Sequence, residues 1–459
     1  MSNAERETRN AEHGSVDVIE RALRAAQGDE VDAVVFLSDG NLTRFANSSV
    51  HQNLSERSGS LTIRVVADGG KIGVASTSSL DDGGIGRAAA LALELARRSE
   101  PMEGFTGLTR DTSPTPAVPS LDEATARLEL SAKTRELKAM FDEGARAGVQ
   151  FAGNFATGVT AAAAGNSHGI RREARFTTAD ALVIALGETH SGYATRCSRR
   201  ASGVDLRALG TEAIEKATLL AGTEETLLPG DYTVILEPAA LAEAFEWMNM
   251  ISLSGQSYED GSSFFVGKIG ERVLGENVTF TDDALDDDFM PFPFDMEGLP
   301  KRRVALVERG IVRTPALDTI AAARLGMAPT ASAVSLESAE HGMAMHLSMA
   351  PGESTREEMI ASTELGIWVT RFNYVNGLLD PKTALMTGMT RDGTFLVRDG
   401  RVAARLPNLR WTQSMVAALS NVESLSRERR AIGTWWNPVG ATLAPTIKVR
   451  KWGITGAQG

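Results

Sequence analysis

The sequence predicts an α+β protein of two domains, the first combining antiparallel hairpins with long helices and the second built mostly from antiparallel strands. Three observations predict it. Apolar residues recur with period two over much of the chain, clear helical spacing falls mainly before residue 225, and Leu228-Pro229-Gly230 separates the two regimes. At 459 residues the chain is also too long for one ordinary hydrophobic core.

Taken in order, residues 1–14 are polar, lack the apolar stretch of a secretory signal, and read as a disordered tail. A first helix follows over 15–26, where Val16, Ile19, Ala22 and Leu23 share a face. The period then changes to two, giving strands over 31–37, 41–45, 61–67 and 71–76. Asp39-Gly40 and Asp68-Gly69 lie between pairs of these strands, and aspartate-glycine supplies the positive φ angles of a tight hairpin. The stretch 84–98 is amphipathic and ends in Arg97-Arg98, which suits a helix C-terminus. Residues 109–119, rich in Thr, Pro and Asp, read as a linker. Ser120 with Glu123 in capping-box position predicts one long helix to about 147, where Gly148 stops it. Alternating stretches over 150–164 and 170–186 flank a turn at Gly165-Asn166-Ser167-His168-Gly169, and a helix over 205–220 closes a first domain of 15–225. The second domain, 226–459, opens with a buried strand over 232–236 and a helix from Pro238 to about 250. Further strands are predicted over 304–308, 311–313, 366–372, 394–397, 401–405 and 446–452, joined by long polar loops.

Hydrophobic residues make up 42% of the chain and charged residues 23%, enough apolar material for cores without disulfide or metal staples. The net charge of -12 argues against a nucleic-acid partner, which calls for a basic footprint. The best basic runs, Arg199-Arg200 and Lys301-Arg302-Arg303, are short and read as solvated loop charges. A single cysteine, Cys197, excludes an internal disulfide and a multi-cysteine zinc site. With no long uninterrupted apolar run, no membrane span is predicted and a cytoplasmic protein is expected.

Motif hits are weak one by one. Gly165–Gly169 fits the G-x-S-x-G pattern of a hydrolase nucleophile, yet a strand follows it where that device needs a helix. Gly84-Ile85-Gly86 opens a helix without a β-α-β unit around it. The run Asp282, Asp283, Asp286, Asp287, Asp288 lacks the glycine and terminal glutamate of a calcium loop and reads as a solvated loop. The histidines form no His-Glu-x-x-His pair; His341 and His346 point apart in either a helix or a strand. Residue by residue, no catalytic constellation assembles.

Several stretches together resemble the TldD/TldE (PmbA, "modulator of DNA gyrase") zinc metallopeptidase family. In the first domain they are Asn41-Leu-Thr-Arg-Phe-Ala-Asn-Ser-Ser, residues 61–66, Asp68-Gly-Gly-Lys-Ile-Gly-Val-Ala-Ser-Thr77 and Gly165-Asn-Ser-His-Gly169. In the second they are residues 232–238, Ser263-Phe-Phe-Val-Gly-Lys-Ile-Gly-Glu271, Pro293-Phe-Asp-Met-Glu-Gly298, Leu317-Asp318-Thr319 and Val369-Thr-Arg-Phe-Asn373. The resemblance implies a cytoplasmic zinc peptidase built as a heterodimer. Its TldD-type subunit carries His-Glu-x-x-x-His on the helix after the boundary strand, with a cysteine near the C-terminus. Counted back without gaps from residues 265–270, that window falls on Glu246 to Ile251. Glu246 and Ile251 stand at the ligand positions, Trp247 stands at the general base, and residues 433–449 hold no cysteine. The resemblance therefore implies a TldE/PmbA-like, non-catalytic subunit with no cofactor of its own. Zinc is expected in a TldD-like partner, and an unfolded peptide is the expected substrate. Arg371 and Asn373, at the end of a predicted strand, are candidates for contact with peptide or partner. A homodimer, a self-sufficient hydrolase of the same family and a regulatory binding protein stay open as alternatives.

Overall fold

A computed structural model describes residues 14–287, 289–337, 341–434 and 436–457. The tail read over 1–14 lies outside the described residues except for Gly14, which caps the first helix. Among the described residues, no helix is long and apolar enough to cross a membrane.

The chain is α+β, as its periodicity predicts. Helix α1 (Ser15–Ala25) leads into β1 (Glu30–Ala46), β2 (Ser49–Ala67) and β3 (Lys71–Thr77), then α2 (Asp82–Arg98). After the extended linker come α3 (Glu123–Ala126), α4 (Leu130–Arg146), β4 (Gln150–Asn166), β5 (Arg171–Leu186), β6 (Ser191–Ser198) and α5 (Leu206–Thr218). The six strands form one antiparallel sheet in the order β3-β2-β1-β4-β5-β6.

Around Val34-Val35 and Ala161 to Ala164 both faces of this sheet are buried, which explains these apolar runs, whereas residues 51–58 of β2 are exposed. Ala33, Val35, Ile63 and Val65 pack under α1 and α2, while Phe151, Ala181 and Val183 pack under α4 and α5. Val34, Ala162, Ala164 and Phe176 face the other way, onto Phe292, Phe294 and Met296 of the second half of the chain.

The second sheet uses β7 (Gly230–Leu236), β8 (Phe280–Asp282), β9 (Val304–Glu308), β10 (Ile311–Val312), β11 (His346–Met349), β12 (Leu365–Asp380), β13 (Leu385–Arg398), β14 (Arg401–Arg405), β15 (Leu409–Ser414), β16 (Val422–Gly433) and β17 (Ala441–Ala457). Its helices are α6 (Pro238–Met248), α7 (Gly255–Glu259), α8 (Thr319–Leu325), α9 (Arg356–Ala361) and α10 (Met415–Ser420). Most pairings are antiparallel, but β12 runs parallel to β7 and β11 parallel to β17. Because β17 also pairs with β7, strands β17-β15-β13-β12-β7 close into a ring. Phe372, Trp411 and Trp452 cluster in the core of this half, with ring centroids 4.6 to 5.6 Å apart.

Several expectations are corrected. Asp39-Gly40 is no hairpin: both residues sit inside β1, paired on either side with β2 and β4. The turn falls at Asn47-Ser48, both at positive φ, whereas the hairpin at Asp68-Gly69 stands as predicted. The long helix over 120–147 is two helices. Ser120 does not cap it, since its hydroxyl donates to the Arg175 carbonyl at 2.8 Å, and Asp122 caps α3 instead. The acidic and basic runs are not simply solvated. Asp282 and Lys301 form a fully buried pair at 2.8 Å, and Arg199 is buried against Asp287.

The two halves are held by a buried clasp. Arg64 on β2 grips Asp32 with two hydrogen bonds of 3.0 and 2.6 Å and reaches Glu297 at 3.1 Å. Glu297 also accepts from the Thr319 amide and hydroxyl, each at 2.9 Å. Asp295 holds the intervening turn by accepting from the Glu297, Leu299 and Ala333 amides. Residues 293–298, which carry part of the resemblance, thus lie at the interface, and Thr319 of 317–319 braces Glu297 from within the second half.

Candidate functional site

Strand β7 leads into Glu237, whose buried carboxylate accepts from Lys216 Nζ at 2.6 Å and Trp368 Nε1 at 3.0 Å. Pro238 then opens α6 at a position where no N–H is needed. Ala240, Leu241, Ala244, Phe245 and Met248 turn inward to the core, which fixes the rotation of the helix. The helix runs into a π-helical turn, Asn249–Leu253, a wide geometry that often marks functional positions. Buried Asn249 locks this turn, donating to the Ala344 carbonyl at 2.8 Å and accepting from its amide at 3.0 Å.

That rotation sets the three residues of the family window. Glu246 lies one turn from Glu243. Burial first, and the Glu243 charge second, push its carboxyl up to about 7. Glu243 is raised as well, by burial, against the lowering effect of the Val375 amide that donates to it at 3.1 Å and of the Arg371 charge. Trp247 packs against β12, where a Cβ on Gly377 would come within 3.0 Å of the indole. Ile251 is buried in the main core.

Arg371 lies in mid-strand rather than at a strand end, since β12 continues to Asp380. Its guanidinium pairs with Asp392 at 2.6 Å and stacks 4.3 Å over the Tyr193 ring of the first sheet. Asn373, half-buried, faces Met389 of β13. Cys197 is buried on β6, its thiol pushed up by burial and then by the Asp180 charge, so it is a poor nucleophile. It sits next to Gly433, at the start of the stretch where the resemblance calls for a cysteine; a Cβ there would lie 3.7 Å from that of Cys197. Ser167 is a tether whose hydroxyl accepts from the Val31 amide at 3.1 Å, and its turn is a plain hairpin.

The histidines are dispersed. His168 meets Glu30, His190 meets Glu224, His341 meets Asp318, and His346 is buried against the Val439 carbonyl. Among the described residues, no group of three or more His, Cys, Asp or Glu side chains is placed to hold a metal ion. Among the described residues, the family window on and after α6, with Glu243 one turn before it, offers two carboxylates, an indole and an apolar side chain, with no imidazole or thiolate in it. These residues do not fit zinc.

Comparison with known proteins completes the picture. Residues 229–456 match the PmbA/TldA metallopeptidase C-terminal domain and residues 31–96 match PmbA/TldA metallopeptidase domain 1. The chain belongs to the PmbA/TldD family. Its fold is that of the crystal structure of TldE from Thermococcus kodakarensis, with a TM-score of 0.84 at 17% identity, covering 96% of this chain and 99% of that one. Among curated relatives, an uncharacterised protein of Methanocaldococcus jannaschii is 28% identical over 37% of this chain, and a metalloprotease of Methanothermobacter thermautotrophicus is 25% identical over 37%. The matched stretches span about 40% of the length of these relatives. The match places the helix after the boundary strand, α6, inside the family's C-terminal domain. Sequence reasoning reached Glu246, Trp247 and Ile251 through the family motif, but missed Glu243 and the Arg64 clasp, whose partners lie far apart in sequence.

Proposed function

We propose that the chain is a TldE-like subunit of a heterodimeric zinc metallopeptidase that degrades or matures unfolded peptides. In this reading it carries no zinc, contributes to peptide binding and stabilises a TldD-like partner that supplies the metal. The observation that carries the reading is the packing of α6 and the π-helical turn after it. Trp247 fills the space over Gly377 and Ile251 is drawn into the core, so two of the three motif positions are spent on packing. The far half of β12, with Tyr374 and Leu378 strongly exposed, gives a partner or peptide an apolar landing next to Asn373. Arg371 positions that strand through Asp392 and Tyr193. Elemental analysis of the purified chain, and peptide cleavage measured with and without a TldD-like partner, test this. Less than about one-tenth zinc per chain and activity only in the mixture are expected. About one tightly held zinc per chain, or chelator-sensitive cleavage by the chain alone, overturns it.

One observation favours a second reading, a self-sufficient hydrolase. A carboxyl held near 7 beside a second carboxylate is the environment of a general acid or base. Glu246→Ala separates the two. In a subunit without chemistry of its own, the substitution leaves the activity of the reconstituted complex intact.

A further inference from the structure

A groove of about 580 Å³ runs between the halves of the chain, where β6, the last strand of the first sheet, approaches β16. Arg196, Arg199 and Arg200 line it from the β6 side, and Arg427 and Arg429 line it from β16. Among the described residues that line the groove, these five arginines face one carboxylate, Asp287. Asp287 is shared by Arg199 and Arg200, and Asp286 holds Arg429 at 3.0 Å. Glu353 reaches Arg427 only at 3.9 Å and is itself 96% exposed. In a chain of net charge -12, the described lining of the groove carries a local excess of positive charge. Arg199 adds an independent sign. Its side chain is 5% exposed, yet its Nε has no hydrogen-bond partner among the described residues. A buried guanidinium N–H left unmatched is costly unless a ligand completes it.

The backbone suggests the shape of that ligand. Strand β16 is hydrogen-bonded to β17 along one side; Ser354 bonds its other side at Leu425 and Arg427, and beyond that point β6 packs near it but no strand is hydrogen-bonded to that edge among the described residues. Arg427 lies in the irregular stretch of β16 between Leu425 and Arg429, and both arginines line the groove beside that edge.

We infer that this groove binds a carboxylate-bearing stretch of extended peptide, with the arginines pairing to carboxylates and the open edge of β16 pairing to peptide backbone. The inference rests on the reading of the chain as a peptide-binding subunit and specifies what class of peptide it takes. Carboxylates can come from acidic side chains or from a chain terminus, and labelled probes separate the two. Anisotropy titrations of the full-length chain would use peptides of about ten residues: one acidic at alternate positions and amidated, one neutral with a free C-terminus, and one neutral and amidated. A single-stranded oligonucleotide serves as the fourth probe. Expected is saturable binding of a carboxylate-bearing peptide that weakens about tenfold in the Arg196→Gln/Arg427→Gln variant, with the neutral amidated peptide binding least. Preference for the acidic peptide assigns the groove to side chains, and preference for the free terminus assigns it to a chain end. Arg196→Gln alone, at an exposed position, gives the same reading in smaller measure should the double variant be unstable. Equal binding of all peptides, indifference to the substitutions, or tighter binding of the oligonucleotide overturns the inference. Zinc content and partner-dependent cleavage are measured separately, so the groove can fail while the subunit reading stands.

Discussion

Glu246 is where a single carboxyl couples the fold to pH. Unfolded, it titrates near 4.5; folded, burial and the neighbouring Glu243 hold it near 7. Over that interval the folded state binds the proton more tightly. Its contribution to stability is therefore fully present below about 4.5 and is lost as pH rises through 7. Glu246→Gln, which imitates the protonated form, should raise stability at pH 8 by up to about 2–3 kcal/mol and change little at pH 5. Chemical denaturation at the two pH values checks this, and an equal effect at both would show that the carboxyl is solvated. The sequence led to this residue only through a family motif. Nothing local to Glu246 signals burial, because its neighbours on β12 are more than a hundred positions away.

At the scale of elements, α6 and β12 meet so closely that a side chain on one is paired with a missing side chain on the other. Gly377→Ala places a methyl group within about 3 Å of the Trp247 Cβ and ring. That overpacking should cost about 1–3 kcal/mol. Trp247→Ala should cost about 2–4 kcal/mol, somewhat below a fully buried tryptophan because the indole is only partly enclosed. Combined, the two should cost less than their sum, since the truncated tryptophan makes room for the methyl group. Melting curves of the three variants decide it, and strict additivity would mean the two side chains do not touch. Element by element, legibility followed how local the signal was. The turn at Asp68-Gly69 and the hairpin at residues 165–169 were readable because the turn residues themselves impose the geometry. Asp39-Gly40 misled because its partners on β2 and β4 override a turn preference that extended pairing does not need. Strand β16, whose sequence Arg427-Glu428-Arg429-Arg430 alternates no apolar residues, gave no periodic signal at all and is defined by β17 alone.

For the molecule as a whole, the Arg64 clasp governs how the halves stay together. Arg64→Met would leave Asp32 and Glu297 buried without their cation, an arrangement that should cost about 3–5 kcal/mol at neutral pH. The loss should shrink toward pH 5, as the orphaned carboxyls take up protons, and denaturation of the variant at both values tests it. A pH-independent loss would mean that packing, rather than charge, holds the interface. No sequence pattern could reveal this clasp, because Arg64 and Glu297 meet only once both halves have formed. The ring of the second sheet carries a different consequence, one of timing. Strand β17 pairs with β7, β11, β15 and β16, and every one of them precedes it in the chain. A growing polypeptide at about 5–20 residues per second would hold β7 without this neighbour for on the order of ten to forty seconds. The first sheet, complete by β6, can form on the ribosome. The second cannot close until its last strand emerges, and a stalled or shortened product should be released with that half exposed to chaperones and proteases.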